Sequence, residues 1–181
     1  VGGAVITAAR ISADGRFVVF PSSRNSFDAT VTGTNGGVYV RDMLTGVTMT
    51  YSDEAIGITR AASAVGLPAV VSFTVETDGR LPSQQLLADA IAVVDDATNA
   101  GPAYYMINCA HPTHFDKVLQ TKAAWTRRIG GIRANASRCS HQELNDSAHL
   151  DAGNPIELGG QYRDLVQRHP GINVLGGCCG T

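Results

Sequence analysis

The chain has 181 residues, 44% of them hydrophobic, so one ordinary domain, or one domain with a short appendage, is expected around a globular core. A formal net charge of −2, with 14 basic residues scattered apart from Arg127-Arg128, gives no electrostatic basis for binding nucleic acid or an anionic membrane surface. No apolar run reaches the roughly 18 residues a spanning helix needs, and Val1-Gly2-Gly3-Ala4 lacks the basic and apolar regions of a signal peptide.

The opening on Val1 rather than Met reads as a fragment or a processed chain. Residues 1–42 form a β-rich segment. Arg16-Phe17-Val18-Val19-Phe20 is a short β-branched and aromatic run behind the turn signal Asp14-Gly15. Gly36-Gly37 precedes a second strand over Val38–Asp42. Ser22–Asn35, rich in Ser, Thr, Asn and Gly, is a loop, and Asp42–Gly46 is a further turn.

From about residue 48 strands and helices alternate. Asp53-Glu54 opens a helix to about Val65, with acidic residues where the helix dipole favours them, Ser52 as N-cap and Gly66 as terminator. Pro68–Phe73 is an apolar strand and Thr77–Arg80 a loop. Leu86–Asn99 is a helix with Leu86, Leu87, Ala90, Ile91 and Val94 on one face. Ala103–Asn108 is a buried strand that delivers Cys109. Phe115–Ala123 is helical, and Gly130–Asn135 is the next strand. Pro155–Gln167 is a helix with Asn154 as N-cap, Pro155 at its first position and Gly171 beyond its end. Ile172–Leu175 is a last strand, delivering Gly176-Gly177-Cys178-Cys179. Near-continuous apolar strands alternating with helices predict an α/β fold with a parallel sheet. The cysteines at strand ends then lie where such folds build their sites.

Four cysteines are too few for a disulfide scaffold of this length. A bond between the neighbours Cys178 and Cys179 would be strained, so reduced thiols in a cytoplasmic setting are expected. Thiolates hold zinc, and a catalytic zinc site keeps one position for substrate. Three protein thiolates and one substrate thiol would fill a tetrahedron, and the metal would lower the substrate thiol's pKa. Gly176, Gly177 and Gly180 are expected to turn the backbone so that both neighbouring cysteines reach one ion.

Cys139, among Ser, Arg and His, reads as an ordinary thiol. His111 and His114 follow Cys109 closely enough to join it in a metal site, but loop polarity explains them as well. His141, His149 and His169 read as surface residues. Glu76 and Asp78 either face a substrate amine or are solvated loop charges. Asn135, at a strand end, is a candidate for a hydrogen bond to substrate. Trp125 reads as packing.

At this point the residues resemble the homocysteine-binding domain of the homocysteine S-methyltransferase family. The resemblance is carried by Thr48-Met49-Thr50-Tyr51-Ser52-Asp53-Glu54-Ala55-Ile56-Gly57, Val71-Ser72-Phe73 with Gly79-Arg80-Leu81-Pro82, and Ile107-Asn108-Cys109. Ile132-Arg133-Ala134-Asn135-Ala136-Ser137 and Gly176-Gly177-Cys178-Cys179-Gly180-Thr181 complete it, over roughly 43–181. It implies a (β/α)8 TIM barrel, here a partial one of about four C-terminal β/α units, with zinc on Cys109, Cys178 and Cys179. It implies methyl transfer to homocysteine, giving methionine, from S-methylmethionine, S-adenosylmethionine or betaine. Many relatives carry Glu where this chain has Val47. Residues 11–42 resemble instead a blade of the TolB-like β-propeller repeats. The other reading is a truncated, non-catalytic or interaction module that retains part of the barrel.

Overall fold

The computed structural model describes residues 10–11, 17–22, 37–42, 46–121 and 123–179. Contacts divide the chain into two units, Val1–Thr45 and Gly46–Thr181. Among its described residues the first holds three antiparallel strands, β1 (Arg10–Ile11), β2 (Phe17–Ser22) and β3 (Gly37–Asp42), in that order. β2 and β3 pair from Phe17 opposite Asp42 to Ser22 opposite Gly37. The expected turn at Asp14-Gly15, the loop over Ser22–Asn35 beyond Ser22 itself, and residues 43–45 of the next turn lie outside the described residues.

The second unit is α/β. Its five strands are β4 (Gly46–Met49), β5 (Ala69–Thr74), β6 (Pro102–Asn108), β7 (Ile129–Ala134) and β8 (Val174–Gly177). All are parallel and lie in chain order. The helices are α1 (Ser52–Ala64), α2 (Leu87–Thr98), α3 (Pro112–Leu119), α4 (His141–Asp146) and α5 (Pro155–Arg168). Sequential parallel strands alternating with helices are the arrangement of a partial (β/α)8 barrel. Among the described residues the five strands make four β/α units followed by β8, as the resemblance implies. β4 escapes sequence reading because Gly46-Val47-Thr48-Met49 is short and carries no apolar run.

Burial explains why these segments form. Every residue of β5 is buried, as a parallel strand covered on both faces requires. α2 buries Leu87, Ala90, Ile91 and Val94 at helical spacing, while Leu86 stands outside the helix and is exposed. Phe73 and Tyr105 stack in the core with ring centroids 6.0 Å apart. The Tyr105 hydroxyl donates to Asp95 Oδ1 at 2.8 Å, and Arg128 forks onto the same carboxylate with two contacts of 2.9 Å. Burial pushes the Tyr105 pKa upward, so the phenol stays a donor. Trp125 packs against this core, as expected.

Several helix ends differ from expectation. Tyr51, not Ser52, is the N-cap of α1, and it makes no side-chain cap bond. Gly66 does follow the helix in the left-handed conformation, φ 71°. α3 begins at Pro112 because His111 caps it and proline suits the first turn. α4 was not expected, though Ser140 and Glu143 form a reciprocal capping box that marks its start. α5 is capped as expected, Asn154 Oδ1 accepting from the amides of Ile156 and Glu157. Among the described residues no helix is long and apolar enough to cross a membrane.

Candidate metal centre

The sequence places Cys109 just past β6 and Cys178-Cys179 just past β8, and β7 lies between those two strands. Two strand spacings amount to about 9.5 Å, yet the Cα atoms of Cys109 and Cys178 are 5.5 Å apart. The chain converges over the end of β7. The Cys109 amide donates to the Arg133 carbonyl at 3.0 Å, and the Cys178 amide donates to the Ala134 carbonyl at 3.1 Å. The thiols therefore come from strands that flank a third rather than from neighbours.

Register makes this convergence demanding. Arg133 pairs with Asn108 on one side and Gly176 on the other, and Ala134 pairs with Gly177. Cys109 is thus level with Gly177, and Cys178 is one step beyond. In uninterrupted strands that offset would send the two side chains to opposite faces. Cys109 breaks the alternation by adopting a left-handed conformation, φ 54°. Cys179 does the same at φ 39°. A non-glycine residue there costs about 1 kcal/mol or more and persists only where its surroundings hold it.

Gly176 and Gly177 do not make the expected turn. They are strand residues of β8, and Gly180 lies outside the described residues. The smallness of Gly176 serves space instead: a Cβ would stand 3.1 Å from Arg133 Cγ. Arg133 in turn donates to the Gly177 carbonyl at 3.2 Å. Tyr162, from α5, accepts from the Ala134 amide at 2.8 Å and donates to the Gly176 carbonyl at 2.5 Å, tying β7 to β8.

The sulfur atoms of Cys109, Cys178 and Cys179 all lie within 4.8 Å of one another. Those of Cys178 and Cys179 are 3.7 Å apart. Zinc–sulfur bonds of about 2.3 Å at tetrahedral angles give an edge of about 3.8 Å, so this pair already has the spacing of two ligands. Cys109 and Cys178 are joined as a disulfide here, and the ligand reading applies to their reduced form. Cys109 and Cys178 are half-buried and Cys179 is exposed, which leaves the cluster approachable from one side. The donor set fits a thiophilic metal with room for a fourth ligand.

Side chains around Cys109 were harder to foresee. The Cys109 carbonyl accepts from Asn135 Nδ2 at 3.1 Å and contacts His141 Nε2 at 2.6 Å. The other ring nitrogen of His141 lies 3.0 Å from Glu76 Oε1, and Thr74 Oγ1 is 3.3 Å from Nε2. Each ring nitrogen thus faces an acceptor, Nε2 the carbonyl and Nδ1 the carboxylate. His141 is therefore not an idle surface residue, and Glu76 is not a solvated loop charge. Asp78 is one: it is exposed and bonds only its own loop, at the Arg80 amide, 3.0 Å away. Asn108, fully buried, closes the framework below. Its Oδ1 accepts from Ser72 Oγ at 2.6 Å and the Thr48 amide at 3.1 Å, and its Nδ2 donates to Thr48 Oγ1 at 2.8 Å. That one side chain joins the ends of β4, β5 and β6.

The remaining candidates fall away from the sulfurs. His111 is buried in the connection between β6 and α3, where it caps α3. Its Nδ1 accepts from the Thr113 amide at 3.3 Å, and burial lowers its pKa to about 4, keeping the acceptor neutral. His114 contacts the Arg138 carbonyl at 3.0 Å through Nε2, and burial lowers its pKa also. Neither belongs to the metal-competent group, which among the described residues consists of the three cysteines. Cys139 Sγ lies 3.6 Å from Asp151 Oδ2, outside that group, as expected of an ordinary thiol. His149 is exposed, and His169 is half-buried at the end of α5.

A family model described as Homocysteine S-methyltransferase matches residues 10–181. The match takes in the segment over 11–42, whose resemblance to a propeller blade finds no support. Comparison with curated proteins gives no match.

Proposed function

We propose, because the chain belongs to the homocysteine S-methyltransferase family, that it transfers a methyl group to the thiol of homocysteine, giving methionine, with zinc held by Cys109, Cys178 and Cys179. The observation that carries the reading is the meeting of three sulfurs, from two separate strand ends, within 4.8 Å. Bound there, zinc would lower the pKa of the substrate thiol, so that a sulfur nucleophile is available near neutral pH.

The chain's own residues prepare the place. The left-handed turn at Cys109 and the ties of Cys178 to β7 fix the thiols at the C-terminal ends of the strands. Asn135 is buried and has an Oδ1 without a partner among the described residues, beside the Cys109 carbonyl that its Nδ2 holds. That oxygen is the acceptor we assign to a donor group of the substrate. The donor of the methyl group is S-methylmethionine, S-adenosylmethionine or betaine. Thiolate ligands call for a reducing, cytoplasmic setting. We keep the division into a β-rich segment over 1–42 and a partial homocysteine-binding barrel over 43–181.

The test is zinc content. Elemental analysis of the reduced chain is expected to give one zinc per chain, and Cys178→Ala none. Stoichiometric zinc retained by that variant would overturn the assignment. Methionine formation, assayed with each donor in turn, then tests the transfer.

A second reading has its own observation. Among the described residues the parallel sheet has five strands where a closed barrel has eight, and Val174 and Leu175 are exposed on β8, an edge strand of that sheet. A chain that took up zinc only with a partner chain present would favour a non-catalytic module.

A further inference from the structure

We infer that His141, held by Glu76, is a positioning residue for the metal centre, acting through the Cys109 carbonyl to keep the Cys109 thiolate turned toward Cys178 and Cys179. The inference rests on the metal reading above and deepens it.

Three observations converge on it. Cys109 needs its left-handed conformation, because the one-residue register offset would otherwise place its side chain on the wrong face of the sheet. Such a conformation needs external restraint. The restraint is visible at both ends of the residue: the amide is bonded to Arg133, and the carbonyl receives Asn135 Nδ2 and His141 Nε2. The His141 contact, at 2.6 Å, is the shorter of the two on that carbonyl.

His141 is itself placed with care. It is the first residue of α4, fixed by the Ser140–Glu143 capping box directly before it. Its ring is oriented by Glu76, which is 65 residues away in sequence and stands in the loop after β5. Both side chains are about 30% exposed, so a merely structural ion pair here would contribute little. What the pair does is fix a hydrogen-bond donor on the backbone of a ligand. Groups that orient metal ligands from outside the first coordination sphere typically matter by 10–100-fold in metal affinity.

The experiment uses the reduced full chain titrated with Co(II), whose sulfur-to-metal charge-transfer absorption reports the number of thiolate ligands. Wild type is expected to show three. His141→Ala is expected to bind Co(II) roughly 10- to 100-fold more weakly, with charge-transfer intensity reduced toward two thiolates. His141→Gln, which retains an N–H donor, is expected to recover most of both. Glu76→Gln, which leaves the ring in place but loosens its orientation, is expected to fall between wild type and His141→Ala. It also supplies the answer should His141→Ala fail to fold by circular dichroism. Three-thiolate absorption and unchanged affinity in folded His141→Ala, or in Glu76→Gln where the alanine variant does not fold, would overturn the inference and leave the metal centre standing. A wild-type chain that takes up no Co(II) would overturn the metal centre and the inference together.

Discussion

The two strand ends that supply sulfur are built in opposite ways. The end of β6 rests on a buried polar frame: Asn108 joins three strands, and the Cys109 carbonyl is gripped by Asn135 and His141. The end of β8 sits at the edge of the sheet. Val174 and Leu175 are exposed there, and Arg133, Tyr162 and the Ala134 carbonyl hold the turn against one neighbouring strand. A site made of one fixed wall and one lightly tied wall teaches that preorganisation need not be shared equally. The cysteine in the middle of the sheet receives the buried polar framework, and the adjacent pair at the edge is tied by the Ala134 carbonyl and the Arg133 and Tyr162 side chains.

This contrast can be broken or sharpened by measurement. The largest effect is expected at Asn108→Ala, which strips a partner from the buried Ser72 hydroxyl and from the Thr48 amide. A loss of about 3 kcal/mol in urea unfolding is expected. A loss under 1 kcal/mol would show that the frame below Cys109 is dispensable. Zinc at a hundred times its dissociation constant is expected to stabilise the reduced chain by about 2.7 kcal/mol. Hydrogen exchange should then slow more at the Cys178 and Cys179 amides than at Cys109. Equal slowing at both ends would erase the asymmetry. Tyr162→Phe removes a hydroxyl that serves both the Ala134 amide and the Gly176 carbonyl, and about 1 kcal/mol is expected, with faster exchange at the Ala134 amide and the β8 end but not at Cys109. The smallest effect belongs to Leu175→Thr on the exposed edge, within about 0.5 kcal/mol by thermal unfolding. A larger change there would mean that the edge is covered.

The sequence reveals the sulfurs and conceals what aims them. Apolar runs such as Val70-Val71-Ser72-Phe73 and Tyr104-Tyr105-Met106-Ile107 announce buried parallel strands, and a glycine or Asn-Pro pair marks helix ends. Cys109, Cys178 and Cys179 are legible because each follows a strand that begins from an apolar run. β4 is not, since its four residues owe their strand conformation to pairing with β5 rather than to their own preference. The Ser140-His141-Gln142-Glu143 pattern carries a helix-start signal that could have revealed α4. Nothing local could have revealed that His141 meets Glu76, because their 65-residue separation is closed only by the sheet. Gly176 and Gly177 suggested a turn on composition, whereas at this site the positive φ values fall on Cys109 and Cys179, and tertiary contacts hold Cys109.

The one-residue stagger between the two thiol-bearing strands makes the sulfur cluster a gauge of alignment. Slide β8 by a single position along β7 and the hydrogen-bond ladder survives almost whole, but Cys178 rotates to the far side of the sheet. A molecule misassembled in that way would pass as folded by its secondary structure and be betrayed only by its inability to gather three sulfurs at one point.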